Sequence, residues 1–322
     1  MSNRDHHPAP AEPAPSRAAG RLLTVAAIQS ELRFWPREED FQGQMAADIS
    51  RAMRAEPDLI VLPEDVGTGL AALGAPLTLR AHSLRGAVAA VAARHVLRLP
   101  YWLLRARGSL VRAAFLAAAP RVREAYTQTF SALAREHRVH IVAGSVLLPC
   151  ESGGEDGVCN STFLFDDRGA IAGRTDKVDL IPLEDSDGLH LTPGRRSAVH
   201  VWRTGIGVIG ALICLDSWDR DLASALADEG AQMLVVPSAN PEPFTPEVLA
   251  DRKRGLYARV AELGLPGVEA YAVGNLAGLQ FEGRSWILEP DAAEADGVRV
   301  VAEAESATEP AVICATVKLP RR

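Results

Sequence analysis

Cysteine, aromatic residues and long apolar runs are all scarce in this chain of 322 residues. The four cysteines, Cys150, Cys159, Cys214 and Cys314, form no CxxC pair and no dense pattern, which argues against a structural zinc site and a disulfide scaffold. So low a count fits a reducing compartment, and we expect a cytoplasmic protein. No apolar run approaches the ~18 residues that a membrane-spanning helix needs.

The phosphate-binding P-loop motif and the common motifs of serine and zinc hydrolases are also missing. GxxxxGK[ST] does not occur, and neither HExxH nor GxSxG does. The eight histidines are scattered along the chain. We therefore expect no metal site, no cofactor and no histidine-based triad.

The composition that is present is that of a soluble globular protein, with 48% hydrophobic and 23% charged residues. It excludes a wholly disordered chain, a collagen and a coiled-coil rod. The net charge of −7 argues against nucleic acid as a partner. Residues 1–20 contain four prolines and no apolar run, so we predict a disordered tail rather than a signal peptide, followed by one domain over residues 21–322.

Short apolar runs alternate with helical patterns after residue 21, which predicts an α/β fold. Strands are predicted over residues 23–28, 58–62, 139–146, 161–165, 199–202, 208–214, 233–236, 271–273, 285–288 and 312–317. Helices are predicted over residues 41–55, 121–138, 219–229 and 247–262.

Three reactive side chains directly follow strand-like runs. Glu64 follows the apolar run 59–62, Lys177 follows an alternating run, and Cys214 ends the run from residue 208. Taken singly, they are most simply interpreted as an exposed acid, a surface lysine and a core cysteine.

Cys214 differs from the other three cysteines because a helix begins a few residues later, with Ser217 or Asp219 as its cap. A helix N-terminus stabilises a thiolate. The other three cysteines stand at no such junction and are interpreted as inert core.

The ordered set of motifs resembles the nitrilase, or carbon–nitrogen hydrolase, superfamily over about residues 22–319. The resemblance implies an αββα sandwich, homodimers or higher homo-oligomers, and a catalytic triad of Glu64, Lys177 and Cys214. The motifs are Val25–Gln29, Leu62-Pro63-Glu64, Ala134–Ser145, Asn160-Ser161-Thr162, Gly173–Val178, Thr192-Pro193-Gly194, Ile213–Asp216 and Gly230–Ala239.

The implied chemistry is hydrolysis of a non-peptide amide C–N bond in a small molecule. Glu64 would take the proton of Cys214, whose thiolate would attack the carbonyl carbon and form a thioester. Lys177 and the backbone N–H of Leu215 would stabilise the oxyanion. Two alternatives remain open: an N-acyltransferase with the same thioester chemistry, and a catalytically silent binding protein with the nitrilase fold.

Three positions near the triad bear on the substrate, and one of them departs from the family pattern. Leu215 stands where the family usually has an aromatic residue, and Asp216 favours an amidase over a nitrile hydrolase. A second active-site acid is expected before the Pro-Gly turn, where the register falls on Asp187, with Glu184 as the alternative.

Residues 66–123, which we call the arginine-rich segment, hold nine arginines and no lysine, aspartate or glutamate. The rest of the chain therefore carries a net charge of −16, against −7 for the whole. The family's usual link at this place is shorter, so the resemblance implies a helical insertion. Because it begins two residues after Glu64, we expect it beside the mouth of the active site.

Within this segment, Leu104, Val111 and Phe115 are spaced as on one helical face, between Pro100 and Pro120. Three roles are open for it. The helices are extra packing with solvated arginines, or an amphipathic hairpin that contacts an anionic membrane or covers a hydrophobic substrate, or an oligomer contact.

Overall fold

The computed structural model describes residues 20–151, 156–185 and 188–321. The predicted tail, apart from Gly20, lies outside the described residues. None of the described helices is long and apolar enough to cross a membrane.

The strands are numbered in chain order. They are β1 (Leu22–Glu31), β2 (Leu59–Val61), β3 (His140–Pro149), β4 (Val158–Phe165), β5 (Ile171–Asp176), β6 (Trp202–Thr204), β7 (Gly207–Ala211), β8 (Met233–Ser238), β9 (Gly267–Leu276), β10 (Leu279–Phe281), β11 (Trp286–Pro290), β12 (Val298–Glu303) and β13 (Ala311–Lys318).

The α-helices are numbered in the same way. They are α1 (Glu38–Ala52), α2 (Leu84–Arg94), α3 (Leu99–Arg105), α4 (Leu110–His137), α5 (Arg220–Asp228), α6 (Pro246–Arg252) and α7 (Ala258–Leu263).

The strands form two sheets that join at one corner. The first sheet has the order β5-β4-β3-β2-β1, with β13 antiparallel to β1. The second has the order β9-β8-β7-β6, with β11 paired to both β9 and β12. The sheets are connected where Ser30 and Glu31 at the end of β1 pair with Ala272 and Val273 of β9.

Three apolar cores separate the layers. The first fills the space between the two sheets and includes Val25, Val61 and Val235. The second lies between the first sheet and helices α1, α2 and α4, and the third between the second sheet and helices α5 and α7. The layers are therefore helix, sheet, sheet, helix, and the predicted αββα sandwich is confirmed.

The helical predictions fail where the chain bends. The expected helical face of Leu104, Val111 and Phe115 is wrong, because Arg107 and Gly108 take positive φ angles of 52° and 84° and divide α3 from α4. Pro120 does not end a helix, since α4 runs through it from Leu110 to His137.

Two other predicted elements are also corrected. The predicted helix 247–262 is interrupted at Gly255, whose φ and ψ of −84° and −128° are not helical. The predicted strand 199–202 begins only at Trp202, because residues 196–198 form a 3₁₀ turn.

The interpretation of Cys150 and Cys159 as inert core residues is wrong. Cys150 and Cys159 form a disulfide with Cα atoms 5.1 Å apart. The antiparallel pairing of β3 with β4 brings them together, because it sets Leu148 opposite Cys159. The low cysteine count therefore gives no support to a reducing compartment.

Candidate active site

The ends of strands from both sheets hold the three residues that the sequence singled out. Glu64 lies three residues beyond β2, and Lys177 follows β5 directly, both in the first sheet. Cys214 lies three residues beyond β7 in the second sheet. The fold thus brings side chains from distant parts of the chain to one place between the layers.

Lys177 is the centre of a buried cluster of charges. Its ammonium donates to Oε1 of Glu64 at 2.8 Å and to Oε2 of Glu184 at 2.6 Å. The three side chains are almost fully buried, with exposed fractions of 1% for Lys177, 3% for Glu64 and 6% for Glu184. One cation thus lies between two carboxylates.

An asparagine and two backbone groups fix the orientation of these carboxylates. Asn160 Nδ2 donates to Glu64 at 2.8 Å and to Glu184 at 3.0 Å. The N–H of Ala239 donates to the other oxygen of Glu64 at 2.9 Å, and the N–H of Ile181 donates to Glu184 at 3.0 Å. The Glu64 carboxylate therefore has a single defined position.

Ala239 also links the cluster to the thiol. The sulfur of Cys214 lies 3.7 Å from the carbonyl oxygen of Ala239, whose N–H holds Glu64. Cys214 has a φ of +48°, a left-handed conformation that is uncommon outside glycine and recurs at functional sites. Through the contact with Ala239, the sulfur approaches the cluster from the opposite sheet.

The backbone after Cys214 forms a short 3₁₀ turn from Cys214 to Trp218. Its first backbone bond runs from the N–H of Asp216 to the carbonyl of Ile213. Leu215 comes one residue before Asp216, and the N–H groups at the start of a helical turn have no hydrogen-bond partner within that turn. The N–H of Leu215 can serve as a donor to an oxygen near the sulfur. The helix cap predicted at Asp219 is present and begins α5, whereas Ser217 bonds to the carbonyl of Cys214.

Asp216 positions the loops rather than facing a substrate. One of its oxygens accepts the N–H groups of Val178 and Asp179 at 3.0 and 2.7 Å, and the other accepts that of Ile213 at 3.2 Å. These bonds join the chain just after Lys177 to the chain just before Cys214. Leu215 lies beside Cys214 on the wall of an open cleft.

Burial and the neighbouring charges shift the pKa values of the cluster. Burial raises the pKa of Glu64 to about 8, although the Lys177 ammonium opposes that shift. The adjacent carboxylates hold the pKa of Lys177 well above 10.5 against the effect of its burial. Cys214 is partly exposed as a residue, but its sulfur is shielded from water by the surrounding protein atoms. This desolvation, together with the negative charge of Glu64, raises the pKa of the Cys214 thiol above its ordinary value. The raised pKa favours the protonated thiol and gives no support to the expected thiolate stabilised by a helix N-terminus.

Of the two candidates for the second acid, Glu184 lies in the cluster and Asp187 lies outside the described residues. Sequence reasoning missed Asn160 and Ala239 as members of the site. Each stands in a motif, Asn160-Ser161-Thr162 or the run ending at Ala239, that was used only for the family resemblance.

A narrow, mostly apolar cavity opens beside Glu64, Lys177 and Glu184. The cavity has a volume of about 80 Å³. Part of its wall comes from the arginine-rich segment, which therefore lies beside Glu64 as its place in the chain predicts. The lining residues from α2 and α4 are Leu84, Ala87, Val88, Val91, Ala114 and Phe115.

A more open cleft lies on the Cys214 side and includes Trp218, Arg252 and Tyr271. The cavity and the cleft share four lining residues, Ile181, Leu183, Ala239 and Pro241. The two spaces therefore adjoin at the cluster.

The fold is that of the nitrilase superfamily. A family model described as carbon–nitrogen hydrolase matches residues 24–322, and the chain belongs to this family. The resemblance inferred from the sequence motifs is confirmed.

Similar proteins of known name include amidases and nitrilases. An (R)-stereoselective amidase from Pseudomonas sp. is 35% identical over 132 residues, 41% of this chain and 44% of that protein. A nitrilase from Pyrococcus abyssi is 31% identical over 175 residues, 54% of this chain and 60% of that protein. The matches thus span less than two thirds of the length of these relatives.

Solved structures show the same fold. A carbon–nitrogen hydrolase from Helicobacter pylori G27 has a TM-score of 0.65 at 20% identity, over 92% of this chain and 89% of that chain. An amidase variant from Nesterenkonia sp. AN1 in complex with butyramide has a TM-score of 0.60 at 19% identity, over 92% and 91% of the two chains.

Proposed function

We propose that this protein hydrolyses the C–N bond of a small, non-peptide amide through an acyl thioester on Cys214. The observation that carries the proposal is the buried Lys177 between Glu64 and Glu184, next to a thiol from the other sheet. Family membership supports carbon–nitrogen chemistry, and the amidase relative supports an amide as substrate.

In the first half-reaction, Glu64 takes the proton of the Cys214 thiol while the sulfur bonds to the carbonyl carbon. The negative oxygen of the tetrahedral intermediate is stabilised by Lys177 and the N–H of Leu215. Protonated Glu64 then donates its proton to the amide nitrogen. The C–N bond breaks, the amine leaves, and the acyl group remains on sulfur.

In the second half-reaction, Glu64 takes a proton from water, whose oxygen attacks the thioester carbon. The C–S bond breaks, the proton returns to sulfur, and the carboxylic acid leaves. Glu184 and Asn160 keep Lys177 and Glu64 in place throughout.

Because the pKa of the Cys214 thiol is raised, a base must remove its proton before it can attack, and the rate should depend on the ionisation of that base. Because Glu64 must be ionised and its pKa is raised to about 8, kcat/KM should increase about tenfold per pH unit below pH 8 and level off above it. The raised pKa of Lys177 means that no decrease should begin below pH 10. The measured value belongs to the coupled cluster. A flat profile between pH 6 and 9, with circular dichroism unchanged, would rule out Glu64 as this base.

Because the cavity is narrow and apolar, the expected substrate has an unbranched apolar acyl chain attached to the amide carbon. We expect kcat/KM for straight-chain primary amides to rise about fourfold per added methylene, the effect of burying ~0.8 kcal/mol, until the cavity is full. Phe115→Ala should weaken this dependence, because Phe115 lines the cavity. Leu110→Ala on the same helix, where Leu110 is 42% exposed, is the matched control.

The same assay separates the alternatives. Hydroxylamine added as acceptor will divert part of the thioester to hydroxamate, and the ratio of hydroxamate to acid distinguishes a transferase from a hydrolase. Hydroxamate without any acid would identify an N-acyltransferase. No turnover of any amide, nitrile or acyl donor would favour a silent binding protein.

A further inference from the structure

Exposed apolar side chains are concentrated in one part of the described chain. Over all the described residues, ten large apolar side chains are exposed, and seven of these ten lie between residues 77 and 110. The most exposed are Leu97 at 94% and Leu104 at 83%, and their sequence neighbours Val96 and Tyr101 are 61% and 56% exposed. Val96 and Leu97 lie in the turn between α2 and α3, and Tyr101 and Leu104 lie on α3, all within the arginine-rich segment. Apolar groups so exposed indicate a surface that contacts something else.

Arginines are interspersed with these side chains in the sequence. Arg94, Arg98 and Arg107 are exposed, and none of them belongs to an ion pair described within residues 20–151, 156–185 and 188–321. The positive field extends to His95, whose pKa is lowered by burial and by the guanidinium groups of Arg94, Arg98 and Arg121. No acidic residue of the segment offsets these charges.

Two other arginines hold the segment on the core. Arg105 pairs with Asp156 and bonds to the hydroxyl of Tyr101. Arg112 donates two hydrogen bonds to the carbonyl of His190. They are therefore unsuitable for testing a surface interaction, since replacing them would loosen the segment itself.

The inner sides of the same helices are packed. Val88 and Val91 of α2 lie in the core between the first sheet and its covering helices. Trp102 and Leu103 of α3 pack against a separate, small apolar core that includes Leu116. The outward orientation of Leu97 and Leu104 is thus fixed by packing on the opposite side.

We infer that Val96, Leu97, Tyr101 and Leu104, with Arg94, Arg98 and Arg107, form a docking face for an anionic lipid bilayer. The apolar side chains enter the boundary between headgroups and acyl chains, and the guanidinium groups bind lipid phosphates. The contact is peripheral, since none of the described helices can cross the bilayer. It is independent of the reaction at Cys214.

Charge and shape favour a bilayer over a flat protein partner. Exposed apolar residues and arginines are interspersed along residues 94–107, as in interfacial helices, where arginine stems lie along apolar surface and their heads reach phosphate. The seven side chains come from one short stretch of chain, residues 94–107, in which Tyr101 and Leu104 are three residues apart on α3 and so share a helix face.

The test is co-sedimentation of the full chain with vesicles. Vesicles of phosphatidylcholine with about 30% of the anionic lipid phosphatidylglycerol should bind the protein. Pure phosphatidylcholine should bind at least about tenfold less, and 0.5 M salt should reduce binding to anionic vesicles by a similar factor (about tenfold).

Two variants separate the contributions of charge and apolar contact. Arg94→Gln with Arg98→Gln and Arg107→Gln should reduce binding on the order of 10²-fold, from three lost phosphate contacts. Leu97→Ser with Leu104→Ser should reduce it at least about tenfold. The matched control is Leu22→Ser with Val300→Ser, which changes two exposed apolar residues elsewhere, 66% and 43% exposed, and should bind like the wild type.

All three variants should keep the melting temperature and any activity on a soluble amide, because the altered side chains are exposed. Equal binding to both kinds of vesicle, or no binding, would overturn the inference. So would self-association of the wild type that disappears in the Leu97 and Leu104 variant without vesicle binding, since the face would then join two copies of the chain.

Discussion

Replacing Cys214 with alanine is expected to lower the turnover of an amide substrate at least ~10⁴-fold, the scale of effect when a covalent nucleophile is removed. The sulfur is the atom that would form the thioester, and Cys214→Ala removes it while leaving Glu64, Lys177 and Glu184 in place. The side chain is partly exposed and its loss leaves no large void. Circular dichroism and the melting temperature should therefore change little.

The matched control is Cys314→Ala. Cys314 is the other free cysteine of the described chain, is also partly exposed, and lies on β13 away from the cluster. This variant should keep wild-type turnover. Most activity remaining in Cys214→Ala, or equal losses in both variants, would contradict the assignment of the nucleophile.

Replacing Lys177 with methionine is expected to affect both activity and stability. The rate should fall at least ~10²-fold, since one group that stabilises the oxyanion is lost. Above pH 8, where Glu64 is ionised, the free energy of unfolding should fall by ~3–5 kcal/mol, because two buried carboxylates lose the cation between them. Denaturant unfolding and kinetics on the same preparation measure the two effects.

A double variant separates these effects. Adding Glu184→Gln to Lys177→Met removes one of the two carboxylates, and Glu64, whose pKa is raised by burial, can then stay protonated. Stability should be partly restored and activity should not. Recovery of activity together with stability would mean that Lys177 acts only in folding.

The layers of the fold and the position of the cluster follow largely from local sequence. The runs before Glu64 and Cys214 are continuous and apolar, as expected of strands covered on both faces. Because both residues follow such strands, their place at the sheet ends was predictable. That Lys177 lies next to Glu64 came from the family resemblance, since 113 residues separate them.

What the sequence did not reveal depends on contacts through space. Asn160 is a strand residue whose amide happens to bridge two carboxylates, and Ala239 acts only through its backbone. Neither role has a side-chain signature. The break between α3 and α4 was missed because Arg107 takes a positive φ, which no propensity predicts for arginine.

The cysteine pair illustrates a similar limit. The spacing of nine residues between Cys150 and Cys159 suits a disulfide only if β3 and β4 form an antiparallel pair in the observed register. That register depends on pairing between strands, which the cysteine pattern alone does not contain.

The central claim, a thioester on Cys214, is tested most directly by mass spectrometry. The protein is incubated with straight-chain amides, quenched in acid and digested, and the peptide that contains Cys214 is examined for the mass of the acyl group. We expect the adduct on Cys214, accumulating when hydrolysis is slow, released as hydroxamate by hydroxylamine, and absent in Cys214→Ala. Turnover of the amide without any adduct on Cys214, or with the adduct on another residue, would contradict the account.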